Sequence, residues 1–414
     1  VDLDALARNF RAIARRLPPG CAPMPVVKAD AYGHGAGPVS VRLQKEGASI
    51  FAVAVAEEGI ELRRAGVTVS ILVMGWIGPD QLDLLLGHRL IGNVHSLAQL
   101  HELLVFLEGK NVTVPLHLKL DTGMTRLGLL PEDLPEAIEM LGRARGRLAV
   151  EGVFQNYASS DEAGAEQTRE QTGVFFEGMK ILAAAGIRPK CVHVANSGAV
   201  LLPPRFSSFE AIPGGPPGPS RPPLPFAETP GGSSGLSPVS VTHVRPGLIL
   251  YARLPGIEGD LNREISDVMS FVSVVDQVKT VAPGTRVGYG GTFVAARTTM
   301  LAIVPAGYAD GVPRSLSGKG VVLVAGARCP IAGRISMDLT AVDVTDLPAP
   351  PERGDEVVFF GTSRGARLGV EEVAGTAGTV PWELLCGVGP RVPRVIVENG
   401  VAASIQSKFL VGGS

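Results

Sequence analysis

A chain of 414 residues, 45% of them hydrophobic, can build cores for two or three domains at about 150 residues each, which excludes disorder throughout. Its 38 basic and 40 acidic side chains leave a net charge of −2, so the basic excess that tracks nucleic acid is absent. No apolar run approaches the roughly 18 residues of a membrane-spanning helix, so no membrane partner is expected. No signal peptide opens the chain. Val1 reads as the middle of a strand and lacks an initiator Met, so a few residues are expected before it. Cys21, Cys191, Cys329 and Cys386 are too scattered for a metal-ligand spacing, and a disulfide framework is not expected at this size. They read as buried reduced thiols of a cytoplasmic protein, with no metal.

In chain order, Asp2–Arg16 predicts an amphipathic helix capped by Asp2, and Pro25–Ala29 a short strand carrying Lys28 at its end. Then come helix Gly37–Gly47, strand Ile50–Val55, helix Glu57–Ala65, strand Val69–Met74, helix Asp80–Leu86 and strand Gly92–Val94. Helix Ser96–Leu107, strand Val114–Leu120, helix Pro131–Leu141, strand Leu148–Gln155, helix Thr168–Ala185 and strand Lys190–Val194 complete the run. Strand–helix alternation over some 200 residues means a parallel sheet covered by helices. Seven or eight such units favour a closed (β/α)8 TIM-like barrel, with an open doubly wound sheet as the alternative.

Residues 203–240 carry 11 of the 33 prolines among glycines and serines, a composition that cannot build a core, and read as a flexible surface insertion. Beyond about residue 255 the texture is β. Asp267–Val281, Val287–Tyr289, Thr299–Val304, Gly320–Val324, Ala327–Ile331, Thr340–Asp343 and Glu356–Phe360 predict strands, and Val370–Ala377 a helix. The predicted fold class is therefore α/β, an N-terminal barrel over 1–254 followed by a mainly β domain over 255–414.

The sharpest motif is Val26-Val27-Lys28-Ala29-Asp30-Ala31-Tyr32-Gly33-His34-Gly35. A lysine at the C-terminal end of an apolar strand stands where barrel enzymes place catalytic groups, and apolar walls there favour its neutral, nucleophilic form. Tyr32 and the Gly-rich turn suit a planar ring and a phosphate. The bland alternative, a strand-end lysine in solvent before an ordinary turn, is as good on spacing alone.

The run VVKADAYGHG resembles the cofactor-lysine motif of the alanine racemase family, pyridoxal-phosphate (PLP) enzymes with a barrel and a β domain. Similar motifs follow in order: His117–Gly128, Ala195-Asn196-Ser197, Arg245-Pro246-Gly247-Leu248, Gly288-Tyr289-Gly290, Gly307–Gly311, Gly333–Asp338 and Arg391-Val392-Pro393-Arg394. The resemblance spans the chain except 203–240. It implies that Lys28 holds PLP covalently and that Lys28 and Tyr289 are the two bases, one on each face of the substrate, since racemisation removes a proton from one face and returns it to the other. It further implies a homodimer whose active sites are shared between subunits, because the family supplies the tyrosine from the partner.

By the same resemblance, Arg245 faces the pyridine nitrogen and keeps it unprotonated. Tyr32, Ser197, Gly247 and Leu248 hold the phosphate, Arg126 binds the substrate carboxylate, and Lys119 supports Arg126, often carbamylated in the family. Met337 borders the substrate, and Tyr308, Asp338, Arg314, Arg334 and Asp161 belong to the entrance and its supports. Two positions depart from the family. Asn156 stands where it has a histidine linking Arg245 to the tyrosine, and an amide cannot hold a proton charge near neutral pH. Trp382 stands for a tyrosine at the inner gate and phosphate, with one N–H donor and no acceptor. The function implied is interconversion of L- and D-alanine, supplying D-alanine for peptidoglycan. A serine or broad-specificity racemase and a catalytically silent PLP-binding homologue are the alternatives.

Overall fold

The computed structural model describes residues 1–144, 146–162, 166–201 and 241–407. The Pro- and Gly-rich stretch 203–240 lies outside the described residues.

Among the described residues of the first half are eight parallel strands: β1 Ala22–Pro23, β2 Ile50–Val53, β3 Ser70–Val73, β4 Gly92–Val94, β5 Val114–Lys119, β6 Leu148–Phe154, β7 Cys191–His193 and β8 His243–Val244. Six are ordered β1-β8-β7-β6-β5-β4, and β2 pairs with β3. Two single bridges join these sets, Val26 to Ala52 and Leu72 to Ile91, so the ring closes. The closed barrel, not the open sheet, is what this chain adopts. Strands such as Ile50–Val53 are buried on both faces because helices cover the outside. The first helix, Leu3–Ala14, is capped by Asp2, whose carboxylate accepts from the amides of Asp4 and Ala5.

The strand expected at Pro25–Ala29 is shorter and earlier. Pro23 and Pro25 lack N–H groups, so regular pairing stops, and extended backbone continues through single bonds such as Val27 N–H to Ala52 O at 2.9 Å. Lys28 then opens a tight turn, not the last step of a strand.

The second half holds β9 Phe271–Val274, β10 Gln277–Val281, β11 Arg286–Val287, β12 Phe293–Val294, β13 Thr299–Val304, β14 Val321–Val324, β15 Ala327–Pro330, β16 Thr340–Asp343, β17 Glu356–Ser363 and β18 Ala366–Leu368, then β19 Arg394–Glu398 and β20 Val401–Gln406. The single strand expected over Asp267–Val281 is two: β9 pairs with β17, while β10 pairs with β13 in a different sheet. The strand expected to reach Tyr289 ends at Val287, because Gly288 and Gly290 at φ 71° and 73° turn the chain. Tyr289 therefore sits at the tip of the β11–β12 hairpin. Cys191 and Cys329 are buried as expected, but Cys386, on helix Pro381–Gly387, is exposed. Among the described residues no helix is long and apolar enough to cross a membrane.

Candidate active site

A cavity of about 260 Å³ opens at the C-terminal end of the barrel strands, lined by Lys28, Tyr32, Lys119, Arg126, Phe154, Asn156, Asn196, Ser197, Arg245 and Gly247 among others. It collects residues from seven segments spread along the sequence, which is what the top face of a barrel does.

Lys28 is followed by four residues, Ala29, Asp30, Ala31 and Tyr32, all at φ 53–55°. Such a left-handed turn opposes the preference of L-residues, so the surroundings must hold it. Glu58 accepts from the Ala29 amide and Asp30 from the Ala36 amide, each at 2.7 Å. Arg394, from the β half, donates to the Gly33 carbonyl at 2.9 Å. His34 is fully buried, its Nδ1 is 2.9 Å from both the Ala31 and Tyr32 carbonyls, and burial pushes its pKa down to about 3. The ring is thus neutral with the proton on Nδ1, donated to the turn.

Tyr32 projects toward Gly247. A Cβ at Gly247 would lie 2.6 Å from the Tyr32 hydroxyl oxygen and 3.7 Å from Ser197 Oγ, so only glycine leaves the space between them. Burial pushes the Tyr32 hydroxyl well above its ordinary range, keeping it a donor. The Gly247 amide donates to Ser197 Oγ at 2.9 Å. The two hydroxyls converge on the Gly247 backbone at the cavity wall, polar groups of the kind that hold a small anion such as a phosphate. Leu248 is buried just beyond it and is not part of the cavity lining.

Arg245 forms the floor. It donates to His193 Nδ1 at 2.8 Å, to the His193 carbonyl at 2.7 Å, to the Gln155 carbonyl at 2.6 Å and to Asn156 Oδ1 at 3.2 Å. Burial lowers its pKa to about 10, which still leaves a cation at neutral pH. Asn156 reaches Arg245 as a neutral acceptor.

The Arg245–His193 bond fixes a chain of protons. His193 accepts at Nδ1, so its proton sits on Nε2 and is donated to His117 Nδ1 at 2.8 Å. Burial and the Arg245 charge hold both imidazoles neutral. The ligand atoms of His117, Cys191 and His193 lie within 4.8 Å of one another, yet the lone pairs a cation would need on the imidazoles are engaged by this chain. Gly152 admits the His117 ring, since a Cβ there would lie 2.5 Å from it. His193 and Gly152 escaped the reading of the sequence, and His34 stood in the lysine motif with no role assigned. A histidine inside an apolar strand looks like core, and only the barrel register turns it toward Arg245.

Lys119 ends β5 at 6% exposure. Burial, then Arg126 and Arg245, lower its pKa to about 8. Arg126 lies on the loop after β5, shaped by Asp121, whose carboxylate accepts the amides of Gly123, Met124 and Thr125 at 3.0–3.1 Å.

The remaining sequence-predicted residues lie elsewhere on this chain. Tyr289 is 71% exposed, Met337 52%, Tyr308 43% and Trp382 41%, and none lines the cavity. Tyr308, Met337 and Asp338 share one patch. The Tyr308 amide donates to the Ser336 carbonyl at 3.1 Å, and Arg391 bridges Asp310 and Asp338, each at 2.7 Å.

Two family models match the chain: the alanine racemase N-terminal domain over residues 1–215 and the C-terminal domain over residues 268–396. The alanine racemase of Desulfovibrio desulfuricans is 36% identical over 400 residues, 96% of this chain and 97% of that one. The Geobacter sp. alanine racemase is 37% identical over 402 residues, covering 95% and 96%. Among solved structures, the alanine racemase of Clostridium difficile 630 superposes with a TM-score of 0.84 at 31% identity, covering 99% and 98% of the two chains. That of Bacillus anthracis, solved with bound L-Ala-P, gives 0.83 at 28% identity, covering 98% and 96%.

Proposed function

The chain belongs to the alanine racemase family and is an isomerase interconverting L- and D-alanine; we propose that it works on PLP held at Lys28, with Lys28 and Tyr289 as the two bases. The observation that carries this reading is one cavity joining a lysine, a small-anion cradle and a buried arginine. These groups fit PLP part by part. Lys28 would hold its aldehyde carbon, Tyr32, Ser197 and the Gly247 space its phosphate, and Arg245 its ring nitrogen. PLP, when bound, makes the substrate Cα–H acidic enough for a side-chain base.

The protein's own residues do the rest. Arg126 binds the substrate carboxylate at the mouth of the cavity. Lys119 lies behind it. Its amine is partly neutral near pH 8, the form that adds CO2, and a carbamate there would set an anion between two arginines. Arg245 stays charged and offers the ring nitrogen no proton that it can release. Lys28 takes or returns the proton on one face of Cα. The opposite face needs a second base that this chain's own fold leaves outside the cavity. An exposed Tyr289 at a hairpin tip, like an exposed Met337, suits delivery to a second subunit. We therefore read the enzyme as a homodimer with shared sites, with Tyr308, Met337, Asp338 and Trp382 near the gate. Four free thiols support a cytoplasmic setting, where D-alanine would enter peptidoglycan synthesis.

Two measurements test the reading. Borohydride reduction and peptide mass analysis should find the pyridoxyl group on Lys28, and L-alanine incubated in heavy water should yield deuterated D-alanine. A label confined to another lysine, or no exchange at Cα, would sink it.

A further inference from the structure

Helix Glu166–Ala184 buries Thr168, Gln171, Phe175, Met179 and Leu182 along one stripe. Gln171, 1% exposed, is a polar amide on that stripe and is not itself part of the cavity lining. Its Nε2 donates to Thr122 Oγ1 at 3.3 Å and to the Asn156 carbonyl at 3.0 Å, while its Oε1 accepts from the Ala158 amide at 3.0 Å. Thr122 in turn donates to Gln155 Oε1 at 2.7 Å. One side chain thereby ties together two loops. The first, 121–126, carries Arg126. The second, 155–158, supplies the Gln155 and Asn156 oxygens that receive Arg245. Gln167, one turn earlier on the helix, adds a bond to the Gly123 carbonyl at 3.2 Å.

We propose that Gln171 is a positioning residue that sets the Arg126 loop against the Arg245 acceptors, and so fixes the distance between the substrate carboxylate and the ring floor. The proposal rests on Arg126 as the carboxylate's partner. The 121–126 loop is rigid, since one Asp121 oxygen receives three amides, so a shift at Thr122 is passed on to Arg126. A glutamine that only filled the core would support folding without touching affinity for a carboxylate.

The test uses the holoenzyme and propionate, a carboxylate with no amine to react. Gln171→Met keeps the shape and removes all three bonds. Gln171→Glu keeps the acceptor for Ala158 and removes the donors, and serves if the Met variant does not fold. Arg126→Ala and the double variants complete a cycle. Expected is a rise in the propionate dissociation constant of roughly fivefold for either Gln171 variant, the size of one or two lost hydrogen bonds, and no further rise when Arg126 is already alanine. An unchanged constant in the Gln171 variants, or a rise that persists undiminished in the Arg126→Ala background, would overturn the proposal. Arg126→Ala binding propionate as the wild type does would overturn the Arg126 reading itself, and the proposal with it.

Discussion

At Lys119 a cation is largely buried and two guanidinium groups stand near, and its pKa falls to about 8 in consequence. Carbamate formation needs the neutral amine. At fixed dissolved CO2, carbamate occupancy should therefore rise with pH through about 8 and fall away below it. Carbon-13 bicarbonate should give a carbamate resonance that follows this curve and is missing from Lys119→Ala; a resonance that persists in that variant would place the carbamate elsewhere. Gly247 gives a second prediction. An alanine there puts its Cβ 2.6 Å from the Tyr32 hydroxyl, so PLP affinity in Gly247→Ala, read by absorbance titration, should drop by roughly tenfold or more, as when a polar contact is displaced. Affinity within twofold of wild type would mean that the phosphate sits elsewhere. Lys28, Tyr32 and Arg245 were legible as residues because the collinear motifs name them. The roles of His193, and of His34 although it stands in the lysine motif, were not, because they are a direction of proton donation, which a sequence does not carry.

Among elements, the left-handed turn Ala29–Tyr32 departs furthest from expectation. Nothing in Lys-Ala-Asp-Ala-Tyr signals it: alanine favours ordinary helix, and the turn exists because Glu58, Arg394 and His34 hold its backbone groups. Ala29 is exposed, so its methyl group brings left-handed strain with little burial to offset it. Ala29→Gly should raise stability by about 1 kcal/mol, and Ala29→Val should lower it, in urea unfolding of the holoenzyme. A destabilised glycine variant would show that the strain is not there. Elsewhere the βα alternation was readable because each strand is a short apolar run between amphipathic helices. In the β half, β9 and β10 ran together because only Asp276, with no glycine or proline beside it, marks the passage from one sheet to another, and β19 and β20 were missed although Asn399-Gly400 marks their turn, because β20 is exposed throughout and shows no buried alternation.

The molecule as a whole places half of its expected chemistry inside a barrel and half on its outer surface. Closure of the barrel followed from the count of βα units, but how many chains a complete site needs did not: the exposure of Tyr289, Met337, Tyr308 and Trp382 is a property of the folded surface. The proposed chemistry pairs Lys28 of one subunit with Tyr289 of another. Lys28→Ala and Tyr289→Phe should each be inactive alone. Unfolded together in equal amounts and refolded with PLP, they should recover about a quarter of wild-type racemase activity, since half the dimers are hybrids and each hybrid has one complete site. A refolded mixture that contains hybrid dimers yet stays as inactive as the separate variants would contradict the claim.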